Sequence, residues 1–157
     1  NELYHQIGIG ALKYYILKVD PAKRILFNPK ESVDFNGNTG PFIQYAYARI
    51  QSIVKQSNDS KKNISLEIPL DQKEKELLKW LELYPQTIQN AAEQHSPALV
   101  ANYIYELVKR FNSYYQKVVI LSDDEYIRQF RVRLASHVGH VIQSGMGILG
   151  IECPKQM

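Results

Sequence analysis

The strongest constraint on the fold is one stretch, Ser96 to Phe111, in which a Ser-Pro pair is followed by Leu99, Val100, Tyr103, Ile104, Leu107, Val108 and Phe111. Apolar residues recurring at intervals of three and four fall on one side of a helix of 3.6 residues per turn, whereas the two-residue alternation of a strand would split them between faces. Pro97 suits the first helical turn, where a backbone N–H has no intrahelical acceptor. The segment therefore predicts an amphipathic helix whose apolar side must be covered by other elements.

The same punctuation recurs along the chain. Thr39 before Gly40-Pro41 predicts a helix to about Lys55 carrying Phe42, Tyr45, Ala46, Arg49, Ile50 and Ile53. Asp71 caps a helix with Leu77, Leu78, Trp80 and Leu81, with Trp80 taken as core, and Pro85 opens another reaching Glu93 or Gln94. Ser122-Asp123-Asp124-Glu125 reads as a capping box for a helix from about Asp123 to Ser144, stopping before Gly145 and leaving 146–157 as an apolar tail. Near the start, Leu3, Ile7, Leu12, Tyr15 and Ile16 predict a helix over 2–17, in which Gly8 and Gly10 mark close packing. Asp20-Pro21, Asn28-Pro29 and Asn36-Gly37-Asn38 make 19–40 a linker with one extended piece, Arg24 to Phe27. The polar run 56–63, with Lys61 and Lys62, reads as a mobile loop before an extended Ile64 to Pro69. Strands and helices do not alternate as in a nucleotide-binding domain, so the expected class is an all-α helical bundle.

With 157 residues, 45% of them hydrophobic, the chain suits one compact domain with a short appendage. A net charge of +3 permits a polyanionic partner without requiring one. The single Cys153 excludes an intrachain disulfide and suggests a reducing, cytoplasmic setting. A monomer is the expected unit. The longest apolar runs, such as Val118 to Leu121, are far shorter than a membrane span, so no membrane partner is expected. The first residue is Asn1 rather than Met, which reads as the mark of an excised fragment.

Eleven tyrosines stand out, several interleaved with cations, as in Tyr45-Ala46-Tyr47-Ala48-Arg49 and in the run Lys109-Arg110-Phe111-Asn112-Ser113-Tyr114-Tyr115-Gln116-Lys117. Unpaired bases stack on such rings for about 1–3 kcal/mol each while Lys and Arg neutralise phosphates, a combination suited to single-stranded RNA. From composition alone, tyrosines half-buried in a bundle with their hydroxyls at the rim are the favoured reading.

A more specific signal is Gly37-Asn38-Thr39-Gly40-Pro41-Phe42-Ile43-Gln44-Tyr45-Ala46-Tyr47-Ala48-Arg49. It resembles the Gly-x-Thr-Gly-Pro-Tyr/Phe-x-Gln-Tyr-x-x-x-Arg signature of the arginyl-tRNA synthetases. Ile7 to Tyr14 looks like that family's helix beyond its signature lysine loop; Leu99 to Leu107 and Phe111 to Tyr115 resemble a helix of its anticodon-binding domain. Gly145 to Ile151 and the final Met157 resemble its ending. Asp124 to Ala135 matches the Asp-Ala-Leu-Arg region only loosely, leaving Arg128, Arg131 and Arg133 without an assigned role.

The resemblance implies a junction helix and linker from the catalytic domain over 1–35, then a helical anticodon-binding domain of the class I synthetase type over 36–157. It implies that this domain grips the anticodon stem-loop of tRNA(Arg), with Tyr115 and Met157 touching the anticodon. Tyr45 and Arg49, one turn apart on the same helix face, would help order that surface, with Phe42 and Gln44 as further candidates. Read from spacing alone, Phe42, Tyr45 and Ile53 serve equally as bundle core, with Arg49 bridging to an acidic neighbour. Gly37, Gly40 and Pro41 are expected to shape the backbone.

The intact enzyme would use ATP, with magnesium, to activate arginine and transfer it to the tRNA 3′ end, chemistry that belongs to a catalytic domain outside this sequence. No catalytic residue, cofactor site or metal site is expected in this fragment. His137-Val138-Gly139-His140 matches the His-x-Gly-His element by which class I synthetases contact ATP phosphates, but it lies inside a predicted helix rather than at a helix start after a strand. Two surface histidines are the expected reading. The alternative to RNA recognition is a helical protein–protein interaction domain.

Overall fold

The computed structural model describes residues 2–57 and 69–157. Residues 58–63 of the loop expected over 56–63, with Lys61 and Lys62, and Ile64 to Ile68 of the extended piece expected to reach Pro69 lie outside the described residues, whereas Gln56 and Ser57 are helical rather than loop. Among the described residues there are seven helices and no strand: α1 Glu2–Leu17, α2 Pro29–Ser32, α3 Gly40–Ser57, α4 Gln72–Glu82, α5 Tyr84–Glu93, α6 Pro97–Lys117 and α7 Glu125–Ile148. The all-α class is as the periodicity predicts. The apolar face of α6 supplies Val100, Ile104, Leu107, Val108 and Phe111 to the core, where they meet Ile43 and Ile50 of α3, Leu77 of α4, and Val138 and Ile142 of α7. Tyr14 of α1 joins them, with its hydroxyl donating to the Ala101 carbonyl (2.9 Å).

The helix starts follow local chemistry. Thr39 Oγ1 accepts from the Phe42 N–H (3.3 Å), while its own hydroxyl donates back to the Asp34 carbonyl, tying the linker to the head of α3. Asp71 and Glu74 form a reciprocal capping box at α4. At α7 the N-cap is Asp124, which accepts from the Tyr126 and Ile127 N–H groups. Ser96 stands at the N-cap of α6, but its hydroxyl makes no capping bond.

Three further expectations need correction. The linker is not wholly irregular: Asn28 caps the short α2, with Pro29 in its first turn. Trp80 is only partly buried, stacked on Tyr103 (5.5 Å between centroids) at the edge of the core. Most importantly, α7 does not stop before Gly145 but continues to Ile148. Gly145 is a packing notch, since a Cβ there would lie 2.6 Å from Ile104 Cδ1. The real stop is Gly150, at a φ of +67°, where the Ile151 N–H returns to the Met146 carbonyl and the Gly150 N–H to Gly147 (both 2.9 Å). That pair of bonds is a Schellman motif, and its left-handed residue favours glycine.

Candidate nucleic-acid interface

Helices α3 and α6 run side by side in the same direction. Phe42 packs on Tyr105 (5.7 Å between centroids), and seven residues further along each helix Arg49 Nη1 donates to Asn112 Oδ1 (3.1 Å). This register brings Tyr45 and Arg49 of α3 beside Tyr115 near the end of α6. The Arg49 guanidinium lies 5.0 Å from the centroid of the Tyr45 ring and 4.8 Å from that of Tyr115, so one cation bridges two aromatic walls. Its hydrogen bond goes to an amide; the acidic partner weighed from the sequence is not found among the described residues.

The third wall comes from the tail after α7, and the way the tail is held explains its position. Gln44 Nε2 donates to the Glu152 carbonyl (2.8 Å) and, more weakly, to the Gln6 carbonyl (3.4 Å). Gln6 Nε2 reaches Glu152 Oε2 (3.0 Å), and the Lys13 ammonium donates to the Gly150 carbonyl. Ile151 is buried and Cys153 packs against the core, so the segment is clamped to α1 and α3 before it emerges at Gln156 and Met157. Gln44 can reach across only because position 10 has no side chain, since a Cβ on Gly10 would stand 2.6 Å from its amide nitrogen.

The result is a concavity of about 490 Å³ lined by Tyr45, Ala48, Arg49, Ser52, Tyr115, Gln156 and Met157. Four of the six residues singled out from the sequence meet there from three separate segments. Tyr45, Tyr115 and Met157 are 45%, 42% and 37% exposed, so each presents surface to a partner. Phe42 lies outside this lining, half-buried against Tyr105. Gln44 is fully buried and offers no surface to RNA; the clamp just described is its observed role, and its Oε1 has no hydrogen-bond partner. Ala48, Ser52, Gln156 and Asn112 were missed by sequence reasoning. Only the matching seven-residue steps of α3 and α6 could have pointed to Asn112.

Several titratable groups away from the concavity hold the fold together. Glu74, 1% exposed, accepts from Arg131 Nε (2.8 Å) while closing the α4 cap, and Arg131 Nη1 donates to the Val119 carbonyl (2.9 Å). Arg128 donates to the Ser122 carbonyl (3.0 Å) at the head of α7. Burial pushes the Cys153 thiol up to about 12, leaving essentially no thiolate near neutral pH. Burial also holds the core tyrosines Tyr14, Tyr103 and Tyr114 well above the ordinary phenol range.

His137 and His140 are exposed within α7, their rings 6.2 Å apart, and His137 Nδ1 meets the Arg133 carbonyl (2.8 Å). No group of three metal-binding side chains includes them among the described residues. The glycine between them serves packing, since a Cβ on Gly139 would lie 2.9 Å from Ile50 Cγ2. A mid-helix position offers no free backbone N–H groups, so these residues do not fit a nucleotide phosphate. Among the described residues, no helix is long and apolar enough to cross a membrane.

A helical bundle that presents two tyrosines and an arginine beside a clamped tail is a fold class with known relatives. The chain belongs to the DALR anticodon-binding domain family, which it matches over residues 43–157. The domain is similar to part of the arginine–tRNA ligases. It is 56% identical to that of Flavobacterium psychrophilum over 156 residues, covering 99% of this chain and 26% of the relative. Identity to the arginine–tRNA ligase of Bacteroides thetaiotaomicron is 47% over 162 residues, covering 100% of this chain and 27% of the relative. The structure superposes on Thermus thermophilus arginyl-tRNA synthetase with a TM-score of 0.94 at 28% identity, covering 99% of this chain and 27% of that one. The chain thus spans about a quarter of the length of the relatives it matches.

Proposed function

We propose that this chain is the tRNA-recognising part of an arginine–tRNA ligase, and that the concavity between α3, α6 and the tail receives unpaired bases of the tRNA(Arg) anticodon loop. The observation that carries the proposal is the bridging of Tyr45 and Tyr115 by Arg49. Rings at the walls give bases a stacking surface, and a guanidinium paired to no carboxylate among the described residues supplies a cation for a phosphate or a base edge. Met157 adds a flexible, polarizable contact on the tail side. Phe42 belongs to the same face of α3, further toward its start, and Gln44 acts through the tail rather than by contact.

In the intact enzyme the activation of arginine by ATP with magnesium, and its transfer to the tRNA 3′ end, would fall to the catalytic portion outside this chain. The protein is expected to work as a monomer in the cytoplasm. A fluorescence-anisotropy titration of this chain with an arginine anticodon stem-loop tests the recognition role. Salt-sensitive binding that is lost when the anticodon bases are exchanged supports it; equal binding to every stem-loop contradicts it, and no binding at low salt favours the protein-interaction alternative.

A further inference from the structure

The aromatic and cationic side chains of this face continue past the concavity. Moving back along α3 and α6, Phe35 meets Tyr45 edge-on (6.4 Å, 88°), Lys109 Nζ stands 5.3 Å from the Tyr105 ring centroid, and Tyr105 packs on Phe42. Phe42 and Tyr105 are each half-buried, so part of each ring faces outward. The Lys109 side chain is 49% exposed and makes an i,i+3 pair with Glu106 (2.9 Å). Glu106 has a second cation, Arg110, which binds both its carboxylate (2.7 Å) and its backbone carbonyl (3.0 Å) and lies 3.8 Å from the Trp80 ring centroid. One carboxylate therefore serves two cations, and Lys109 can leave it without stranding a charge; exposed pairs of this kind hold their partners weakly.

We propose that the α3–α6 seam from the concavity to the Phe42–Tyr105 pair is a second contact site for the same single-stranded RNA. Lys109 neutralises a phosphate between the two sites, and its departure from the Tyr105 ring frees that ring to stack a flanking base. This rests on the RNA-binding role proposed above. The spacing suits it: seven residues of helix, from Phe42 to Arg49, span roughly 10 Å at ~1.5 Å per residue, about three stacked nucleotide steps of ~3.4 Å.

The test is an anisotropy titration of the full chain with two labelled RNAs, the arginine anticodon triplet and the seven-nucleotide loop sequence containing it. The unaltered protein is expected to bind the longer RNA at least about tenfold more tightly at low salt. Lys109→Gln, a surface change, should abolish most of that gain and reduce the slope of log K against log salt by about 0.7, leaving triplet binding unchanged. Tyr105→Leu should do the same to the gain, whereas Tyr115→Ala should weaken both RNAs alike. A length gain that survives in both Lys109→Gln and Tyr105→Leu overturns the seam and leaves the concavity standing. Failure of the unaltered protein to bind either RNA overturns both.

Discussion

Replacing Tyr115 by alanine separates a binding role from a structural one, because the two predict losses in different measurements. The ring is 42% exposed, and it contacts the Phe111 ring (6.3 Å) and the Arg49 guanidinium (4.8 Å). An exposed cation–π contact is worth about 0.5–1 kcal/mol and an aromatic pair a comparable amount, so the fold should lose about 1–2 kcal/mol. For a chain of this size that is a fall in Tm of about 2–8 °C. If the ring stacks a base, binding loses about 1–3 kcal/mol, an affinity drop of about 5- to 140-fold. Tyr115→Phe keeps the stacking surface and should retain most of the affinity. Isothermal titration with an arginine anticodon stem-loop, beside thermal melts, reads both quantities. Unchanged affinity in a folded Tyr115→Ala protein would refute the stacking role, and a fully unfolded variant would refute the assignment of the ring to the rim.

Two further outcomes follow from the packing. Gly40→Ala should destabilise the fold by about 1–3 kcal/mol, because its Cβ would sit 2.8 Å from the Gly10 carbonyl oxygen where α1 crosses α3, whereas Gly147→Ala, with nothing within 4 Å, should stabilise α7 by about 0.5–1 kcal/mol; chemical denaturation measures both. Cys153 should resist iodoacetamide in the native protein at pH 8 and react on unfolding, and since its folded pKa of about 12 lies above the ordinary thiol value of about 8.5, its stabilising contribution should be full below pH 8 and decline as pH rises above about 8.5.

Much of the fold was legible because its signals are local. Pro97 in the first turn of α6, Thr39 ahead of Gly40-Pro41 at α3 and Asp71 at α4 mark their helix starts locally, and the α6 periodicity leaves no alternative to a buried face. The end of α7 was not legible, because Gly145 reads as a stop in one dimension and as a notch for Ile104 only once α6 lies against it. Asn28-Pro29 likewise reads as a turn although the same pair caps α2.

The site divides in the same way. Tyr45 and Arg49 share a helix face by spacing alone, and the signature singled them out. Their meeting with Tyr115 and Met157 depends on the parallel register of α3 and α6 and on the clamped tail. Gln44 sits in the same signature but points inward, toward carbonyls of residues 38 and 108 positions away, which no local pattern reveals.

The most direct measurement is a photo-crosslink. An arginine anticodon stem-loop carrying 4-thiouridine within the anticodon is irradiated with the protein and the attachment sites are mapped by mass spectrometry. Attachment is expected at Tyr45, Tyr115, Gln156 or Met157, which line the concavity. Attachment instead at the apolar groove of Trp80, Leu99 and Tyr103, or none in a protein that binds the RNA, would contradict anticodon recognition by this surface.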